Sequence, residues 1–553
     1  SKALELSGEK KDDKWRLMAT DPETRAENWL NQVEEILLKE YNGPEKTEFN
    51  DQLPLLSIEH YNVQCWRSRK LNKRDIGPDQ EKERMAVSNA YARVTKALDL
   101  RKLLATDVVF QKAIMLVCNA IPEVTANNDY SLVSQPFMNK DSNVTYPWFR
   151  NDRAVDPGTG KTYGQMAVEL AKKVPIDQLY KYNYTTLFGR NQKLKGRAIY
   201  ATSRIVNIVL NQLEAEEIKA YKEKSPLFVG YKDDTGLKEG LISMTDFCNK
   251  KGLKCRNVDQ SKFDLHVNEA FIILVGAISM MKANGHKSKE LAKTRAILAT
   301  KTWLIDGLTN TIFPIYGRIF SGYIDTNRMG GLVNAIAVLY CVMKQNPKMS
   351  NLVYEAKDWM FVMGDDNLFF YENLDYEQFK ADLETIGFEV NKDKDEFGPF
   401  FLQYRLFDWN GDKVMAYAWT RVWRSMLFKE TQKALGPYGW VLAWWQQIAK
   451  VQEYTPALEI LVNLTCYLDD KKLCLDMPVD QLLKEVEKED NEAKNKLTTD
   501  NAKSRFISTW EKLYDGDPQK QKFDSTNRSY LEEIQDKMRK VYDPDYFNKH
   551  HLP

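Results

Sequence analysis

The chain has 553 residues, of which 43% are hydrophobic, and its 79 basic side chains nearly balance its 78 acidic ones. This length is too great for one small core and predicts several subdomains with a sizeable interior. The net charge of +1 gives no overall attraction to nucleic acid, so a site for a polyanion would require local segregation of charge. No apolar run is long enough for a membrane-spanning helix, and seven cysteines without a Cys-x-x-Cys pair indicate a reducing setting.

Apolar periodicity predicts most of the regular structure. The pattern predicts helices over residues 26–41, 85–120, 268–284, 326–343 and 376–386. Residues 121–165 are rich in Asn, Asp, Pro and Gly and predict loops, whereas helical patterns dominate after Asn410. Residues 478–500 are strongly charged and predict either a solvated helix or an inserted loop.

Charge is segregated in one segment. Residues 181–204 contain six Lys and Arg side chains and no acidic residue. Lys195 and Arg197 lead into the strand-like run Ala198–Ala201, which would direct the cations into a channel. Such a channel is suited to gripping a triphosphate.

Two acidic signatures carry the strongest functional signal. Residues 253–258 alternate apolar and polar side chains, which predicts a half-buried strand that ends at Asp259, with Asp264 after a short turn. Residues 358–363 and 368–371 predict two buried strands joined by Gly364-Asp365-Asp366-Asn367, whose residue types favour a turn. If the first strand pairs beside this hairpin, Asp259 converges with Asp365.

Carboxylates at the ends of adjacent strands are able to bridge two metal ions. Hard oxygen ligands favour Mg²⁺ or Mn²⁺ over zinc. The signatures therefore predict two ions of Mg²⁺, with Mn²⁺ as the alternative, held by Asp259, Asp365 and Asp366.

The order of these segments resembles the viral RNA-dependent RNA polymerases, and among them those of picobirnaviruses and partitivirus-like relatives. The resemblance extends from about Tyr182 to Asp408. The matching motifs are F (188–204), A (259–264), B (321–334), C (363–367), D (387–394) and E (401–406).

The resemblance implies an α+β right-hand polymerase whose palm is a small antiparallel sheet. It places an N-terminal segment that bridges fingers and thumb at residues 1–100 and the fingers at 101–250. The palm follows at 251–408, with 270–318 partly in the fingers, and a helical thumb and tail at 409–553.

The resemblance also implies roles for individual residues. Asp259, Asp365 and Asp366 would be catalytic and bind metal, and Lys394 would donate a proton to pyrophosphate, with Lys392 as its competitor. The residues implied to bind the nucleotide are Lys193, Lys195, Arg197, Asp264, Ser321, Gly322, Thr326 and Asn327. Where the family often has Asn in motif B this chain has Gly330, so Asn327 or Asn334 would take over the ribose contact.

The implied function is template-directed RNA synthesis from NTPs in a double-stranded RNA virus. RNA template, NTPs and capsid protein are the implied partners of a monomer in the virion interior or host cytoplasm. Two alternatives remain open: a reverse transcriptase-like polymerase, and a non-catalytic polymerase-like RNA-binding virion protein. Gly364 before the paired acids and Asp264 argue against the first, and the complete set of carboxylates argues against the second.

Overall fold

A computed structural model describes most of the central part of the chain. The described residues are 100–130, 143–192, 195–306, 311–419, 454–468 and 477–496, with a few positions between 421 and 451 and residue 532. The helix predicted over residues 26–41 and the implied N-terminal bridge lie outside these ranges.

Thirteen α-helices lie within the described residues. They are α1 (Leu100–Thr106), α2 (Val108–Asn119), α3 (Tyr163–Lys173), α4 (Arg204–Lys224), α5 (Asp234–Lys251), α6 (Phe263–His266), α7 (Glu269–Lys282), α8 (His286–Thr300), α9 (Thr326–Gln345), α10 (Met349–Glu355), α11 (Tyr376–Thr385), α12 (Thr455–Leu468) and α13 (Val479–Lys496). Short 3₁₀ turns occur at Ile176–Tyr182, Val229–Tyr231, Lys392–Lys394 and Ala449–Val451.

Thirteen strands lie in the same parts of the chain. They are β1 (Tyr184–Gln192), β2 (Lys195–Thr202), β3 (Lys254–Asn257), β4 (Gln260–Ser261), β5 (Lys301–Asp306), β6 (Thr311–Tyr316), β7 (Met360–Met363), β8 (Asp366–Tyr371), β9 (Glu389–Val390), β10 (Glu396–Phe397), β11 (Phe400–Phe401), β12 (Tyr404–Trp409) and β13 (Asp412–Tyr417).

The sheet that carries the acidic signatures has the strand order β10-β3-β8-β7. All three of its pairings are antiparallel. Strand β8 is central and buried from its second residue onward, which explains the unbroken apolar run Leu368–Tyr371. The predicted pairing of the first strand with the hairpin is confirmed, with Arg256 opposite Phe369.

A second four-stranded sheet, ordered β2-β1-β5-β6, carries the basic segment. Strands β1 and β2 form an antiparallel hairpin, and β1 runs parallel to β5. Two smaller sheets complete the arrangement, β11-β12-β13 and the two-residue pair β4-β9. The pair β4-β9 joins the end of motif A to motif D, because Gln260 lies opposite Val390.

Helix α9 is the centre of the core. Its residues from Arg328 to Met343 are all buried, and it packs against α2, α7, α11 and β7. Helix α7 is buried from Phe271 to Lys282, and the Asn268 side chain caps it by accepting from the Phe271 N–H at 3.0 Å. Because both helices are long and buried, their sequences have an apolar pattern that is clear enough to locate them without the structure.

Most of the predicted elements are confirmed, with three corrections. The predicted helix over 85–120 is, in its described part, two helices that begin at residue 100 and break at Asp107, whose side chain caps α2. The turn of the acidic hairpin contains only Gly364 and Asp365, because Asp366 already pairs with Met363. Helical structure does not begin immediately after Asn410, because 412–417 form β13.

Of the two readings left open for 478–500, the structure shows a helix, α13. The domain boundaries implied by the resemblance stay predictions.

Within the described residues, no helix is both long and apolar enough to span a bilayer. The four described cysteines, Cys118, Cys248, Cys255 and Cys341, are buried and form no disulfide.

Candidate active site

The acidic hairpin presents one carboxylate outward and one inward. Gly364 has a φ of 56°, in the left-handed region that glycine adopts at low cost, and this lets the chain reverse in two residues. Asp365 is exposed at the turn. Asp366 starts β8, and its side chain is directed into the protein.

Both carboxylate oxygens of Asp366 accept hydrogen bonds from the protein. Oδ1 accepts from Asn257 Nδ2 at 2.7 Å and from the backbone N–H of the next residue, Asn367, at 3.0 Å. Oδ2 accepts from the Leu402 N–H at 2.8 Å. Burial raises the pKa of Asp366 to about 6, and the nearby charge of Asp365 acts in the same direction, whereas these donors oppose the rise.

The Leu402 N–H comes from a tight turn in motif E. Leu402 and Gln403 join β11 to β12, and their φ angles of 52° and 67° lie in the left-handed region. Neither is glycine, so the turn is held in a conformation that costs L-residues free energy. The turn places the Leu402 N–H on the Asp366 carboxylate.

Two buried asparagines form hydrogen bonds that join the hairpin to neighbouring segments of the chain. The Asn367 side chain donates to the Val258 carbonyl and accepts from the Val258 N–H, both at 3.0 Å. The Asn334 side chain, from α9, donates to the carbonyls of Gly364 at 3.1 Å and Asp366 at 3.0 Å. Because Asp259 directly follows Val258, the Asn367 bonds bring Asp259 beside the start of β8.

Asp259 lies half-buried between the hairpin and motif D. Its N–H donates to Asp395 Oδ1 at 2.9 Å, and its carbonyl accepts from the Asn391 N–H at 3.0 Å. Burial raises the pKa of Asp259, and the nearby Lys394 ammonium partly offsets this rise.

The structure separates the two lysines proposed as proton donor. Lys394 is exposed and close enough to Asp259 to act on its ionisation. Lys392 instead lies over the Tyr376 ring, with Nζ 5.1 Å from the ring centroid. This arrangement favours Lys394.

The motif B loop packs directly against strand β2. Ser321 Oγ accepts from the Tyr200 N–H at 3.0 Å, and the Gly322 N–H donates to the Tyr200 carbonyl at 2.7 Å. A Cβ on residue 322 would lie 2.4 Å from that carbonyl oxygen, so only glycine permits this approach. The Thr326 hydroxyl donates back to the carbonyls of Phe320 and Tyr323 and stabilises the loop itself.

Helix α9 approaches the acidic hairpin closely. A Cβ on Gly330 would lie 3.4 Å from the Gly364 Cα and 3.2 Å from Ile319 Cδ1. Position 330, where this chain lacks the Asn that the resemblance implies, is therefore packed so closely that it leaves little room for a side chain. Asn327, one turn earlier, is exposed, and its Oδ1 lies 3.6 Å from the position of a Cβ on Gly364.

This geometry favours one of the two substitutes for the missing Asn. Asn334 is fully buried and its side chain bonds the hairpin, which argues against a contact with a ribose. Asn327 remains the candidate.

Asp264 is exposed in the short helix α6, beside motif B. Its carbonyl accepts from the Ile319 N–H at 2.9 Å. Burial raises the pKa of Tyr200, and the charge of Asp264 contributes to this rise, so the two side chains lie near each other. The predicted ribose contact thus lies between motifs A, B and F.

The predicted triphosphate-binding cations lie on the β1-β2 hairpin. Arg197 pairs with Arg190, and Lys195 pairs with Gln192. Lys193 lies outside the described residues, as do the side chains of Lys195 and Arg197. Their contact with a triphosphate stays a prediction.

The donor set is consistent with a metal that completes its shell with substrate. Among the described residues no group of three or more His, Cys, Asp or Glu side chains forms a ready-made metal site. Mg²⁺ usually binds through one or two carboxylates and takes its remaining ligands from water and substrate phosphates. Asp259 and the exposed Asp365 fit that pattern, whereas both oxygens of Asp366 are already engaged.

Sequence reasoning missed four residues of this site. Asn257, Asp395 and Leu402 carry no local signal, because their partners are distant in sequence. Asn367 did have a signal, since it is a polar residue that begins an otherwise apolar run.

Comparisons with known proteins show which family and which solved structures this chain is similar to. Residues 195–407 match the family model of the viral RNA-dependent RNA polymerases. The RNA-dependent RNA polymerase of a human picobirnavirus aligns with a TM-score of 0.57 and 15% identity, over 88% of each chain. Its insertion-loop deletion mutant gives the same score and identity, over 88% of this chain and 91% of the other.

No curated protein matches the sequence. The solved structures show a shared right-hand polymerase fold, and the family match covers motifs A to E and the whole of strand β2. Residues 195–407 therefore resemble the viral RNA-dependent RNA polymerases, and the chain shares the right-hand polymerase fold of the picobirnavirus enzymes. Both findings support an RNA-directed RNA polymerase.

Proposed function

We propose that this polymerase copies a viral RNA template by two-metal nucleotidyl transfer at the hairpin of Asp365 and Asp366. RNA and NTPs are the substrates of an RNA-directed RNA polymerase, and the family uses divalent metal ions. The observation that carries the proposal is the bonding of Asn367 to both backbone groups of Val258, which brings Asp259 beside the hairpin.

Asp259 and Asp365 would hold two Mg²⁺ ions, or Mn²⁺ in their place. When bound, these ions would stabilise negative charge on the attacking and leaving oxygens of an in-line displacement. Asp366 would not bind the metal ions directly but would orient the hairpin through the hydrogen bonds of its buried carboxylate. Its engaged oxygens support this positioning role over direct ligation.

In the reaction the 3′-hydroxyl of the growing RNA gives up its proton to water as its oxygen attacks the α-phosphorus of the NTP, and the bond to pyrophosphate breaks. Lys195 and Arg197 would neutralise the triphosphate, with Lys193 nearby. Lys394, exposed next to Asp259, would donate the proton that the departing pyrophosphate takes up. Asp264 and Asn327 would contact the ribose.

The two alternatives are weighed by site geometry. A reverse transcriptase-like polymerase would be expected to crowd the ribose position, but Asp264 and Asn327 are exposed there. A non-catalytic RNA-binding protein would not need an exposed Asp365 beside Asp259. Both observations support RNA synthesis.

The proposed biological setting is a double-stranded RNA virus. The resemblance of motifs to picobirnavirus and partitivirus-like polymerases supports replication and transcription of a double-stranded RNA genome. In that setting the polymerase would act as a monomer in the virion interior, in contact with capsid protein, or in the host cytoplasm.

Incorporation of radiolabelled NTPs on a single-stranded RNA template tests the function. We expect Mg²⁺-dependent synthesis by the wild type and loss of synthesis in Asp365→Ala, with thermal unfolding unchanged. Removing a metal-bridging carboxylate should cost several kcal/mol of transition-state stabilisation, on the order of a thousandfold in rate or more. Activity of Asp365→Ala within tenfold of the wild type would contradict the assignment, and preference for dNTPs would favour the reverse transcriptase alternative.

A further inference from the structure

Both backbone groups of Asp259 are held by the segment that contains Lys394. The Asp259 N–H donates to Asp395 Oδ1 at 2.9 Å, and the Asp259 carbonyl accepts from the Asn391 N–H at 3.0 Å. The two partners flank Lys394 in a short turn, in which the Lys394 N–H donates to the Asn391 carbonyl at 3.1 Å. The backbone at Asp259 is thus fixed from both sides by one loop.

The Asp395 side chain is itself fixed by burial and charge. It has no solvent exposure, and its Oδ2 lies 3.4 Å from Nη2 of Arg256. Arg256 is buried in β3 and lies between two aromatic rings, with Cζ 4.9 Å from the Tyr376 centroid and 4.3 Å from the Phe397 centroid. Burial and the ion pair with Arg256 restrict the position of the carboxylate that accepts the Asp259 N–H.

From this geometry we infer that Asp395 is a positioning residue that sets the orientation of Asp259 towards the metal and couples it to the loop of Lys394. The inference rests on the proposed function, because it assumes that Asp259 binds metal. Partners that orient a metal ligand are worth about 10–100-fold in metal affinity or activity. Asp395 would act only through Asp259 and would not contact the substrate.

Asp395→Ala removes the acceptor, and Asp395→Asn keeps an oxygen that can accept the N–H. Asp393→Ala is the matched control, because Asp393 is an exposed carboxylate on the other side of Lys394. The measurements are the affinity of the full chain for Mn²⁺ alone, by electron paramagnetic resonance, and kcat and KM for a single nucleotide addition.

We expect Asp395→Ala to lower both Mn²⁺ affinity and kcat about 10–100-fold, with KM for the NTP changed less than about twofold. Asp395→Asn should recover most of the Mn²⁺ affinity, and Asp393→Ala should match the wild type. If Asp395→Ala kept wild-type Mn²⁺ affinity, or if Asp393→Ala lost as much, the inference would be wrong.

Folding is followed by thermal unfolding of each variant. Should Asp395→Ala fail to fold, Asp395→Glu decides, because it keeps a charge for Arg256 but displaces the accepting oxygen by one methylene. Reduced Mn²⁺ affinity in Asp395→Glu supports the inference, and unchanged affinity overturns it. A wild type that binds Mn²⁺ but makes no RNA would contradict the proposed function alone, whereas one that binds no Mn²⁺ would contradict both.

Discussion

At the scale of single residues, the site divides into exposed groups and buried groups that hold them. Asp365, Asp264 and Asn327 are exposed and able to meet a substrate. Asn367 and Asn334 are fully buried, and each bonds backbone groups of neighbouring segments. Substitutions in the first set should therefore alter catalysis, and those in the second should alter stability.

Asp264→Ala tests the first set. We expect a loss of about 1–3 kcal/mol in transition-state binding of NTPs, the usual cost of losing a hydrogen-bond partner, and a much smaller loss for dNTPs, which lack the 2′-hydroxyl. The measurement is kcat/KM for matched NTP and dNTP pairs, with Asn327→Ala expected to share part of the effect.

Asn334→Ala is the contrasting variant, because it leaves the Gly364 and Asp366 carbonyls without their donor. It should lower thermal stability and affect both sugars alike. Equal slowing of NTPs and dNTPs by Asp264→Ala would show that Asp264 holds motif A in place and does not select the sugar.

At the scale of elements, a buried charge network joins three helices behind the motif B loop. Arg295 of α8 donates to Glu214 of α4 at 2.8 Å, and Arg328 of α9 donates to Asp325 at 2.6 Å and 2.9 Å. Glu217 of α4 also accepts from Arg295, at 3.0 Å. All five side chains are at most 4% exposed, so two arginines and three carboxyl groups share a site that is shielded from solvent.

The pKa values of two carboxyl groups in this network shift in opposite directions. Burial, aided by the charge of Asp325, raises the pKa of Glu214 well above its usual value. Although burial alone would raise it, Arg295 and Arg328 hold the pKa of Asp325 below its usual value. The raised pKa predicts that Glu214 is protonated in the folded protein, so that the two arginines have one fewer negative charge to offset.

Glu214→Gln should be tolerated, because an amide has the shape of the protonated carboxyl and can donate in its place. Because the folded-state pKa of Glu214 is raised, we expect the stability of the wild type to fall as the pH rises above the unfolded pKa of about 4.5. The Gln variant does not titrate there, and its stability relative to the wild type should therefore increase from pH 4.5 to pH 7.

Arg295→Met is the companion variant, because it leaves buried carboxylates uncompensated. Breaking a buried network in this way costs about 3–5 kcal/mol. Thermal unfolding of both variants at pH 5 and pH 7 tests the charge balance. A destabilisation by Glu214→Gln as large as that by Arg295→Met would mean that Glu214 is ionised in the folded protein.

At the scale of the whole molecule, the motif B loop connects two sheets. One is the β2-β1-β5-β6 sheet, which carries the basic segment, and the other is the β10-β3-β8-β7 sheet, which carries the acidic hairpin. Gly322 touches the Tyr200 backbone of β2, and the same loop leads into α9, whose Asn334 holds the acidic hairpin. Asn207 of α4 fixes the loop from a third side, by donating to the Gly322 carbonyl at 2.9 Å and accepting from the Ile324 N–H at 3.0 Å.

Gly322→Ala tests this junction. The added methyl would meet a backbone oxygen at 2.4 Å, which cannot move aside as a side-chain end can, so the loop and β2 must separate. We expect a stability loss of about 1–3 kcal/mol, typical of overpacking, and at least a tenfold loss of RNA synthesis. Gly158→Ala is the control, because a Cβ there meets only ordinary contact at 3.5 Å. Wild-type synthesis by Gly322→Ala would show that the close approach is dispensable.

The sequence by itself determined the main strands and helices of this protein. Buried strands and helices require apolar runs with a definite period, so the acidic hairpin, α7, α9 and α11 were located from local pattern. The order of Asp259, Ser321-Gly322 and Asp365-Asp366 led to the prediction of two-metal nucleotidyl transfer, which stays a prediction. The tight turn also had a local cause, the left-handed Gly364.

Only the tertiary structure decided which way each carboxylate points and what holds it. Asp259 bonds a side chain 136 residues away, and Asn257 reaches Asp366 across 109 residues. Such partners leave no periodic signal, because a hydrogen bond between distant segments depends on how the sheets and helices pack. The same packing places Lys394 near Asp259 but Lys392 over an aromatic ring, and it buries Asn334 in the core. It also directs the Asp366 side chain into the protein, whereas Asp365 is exposed.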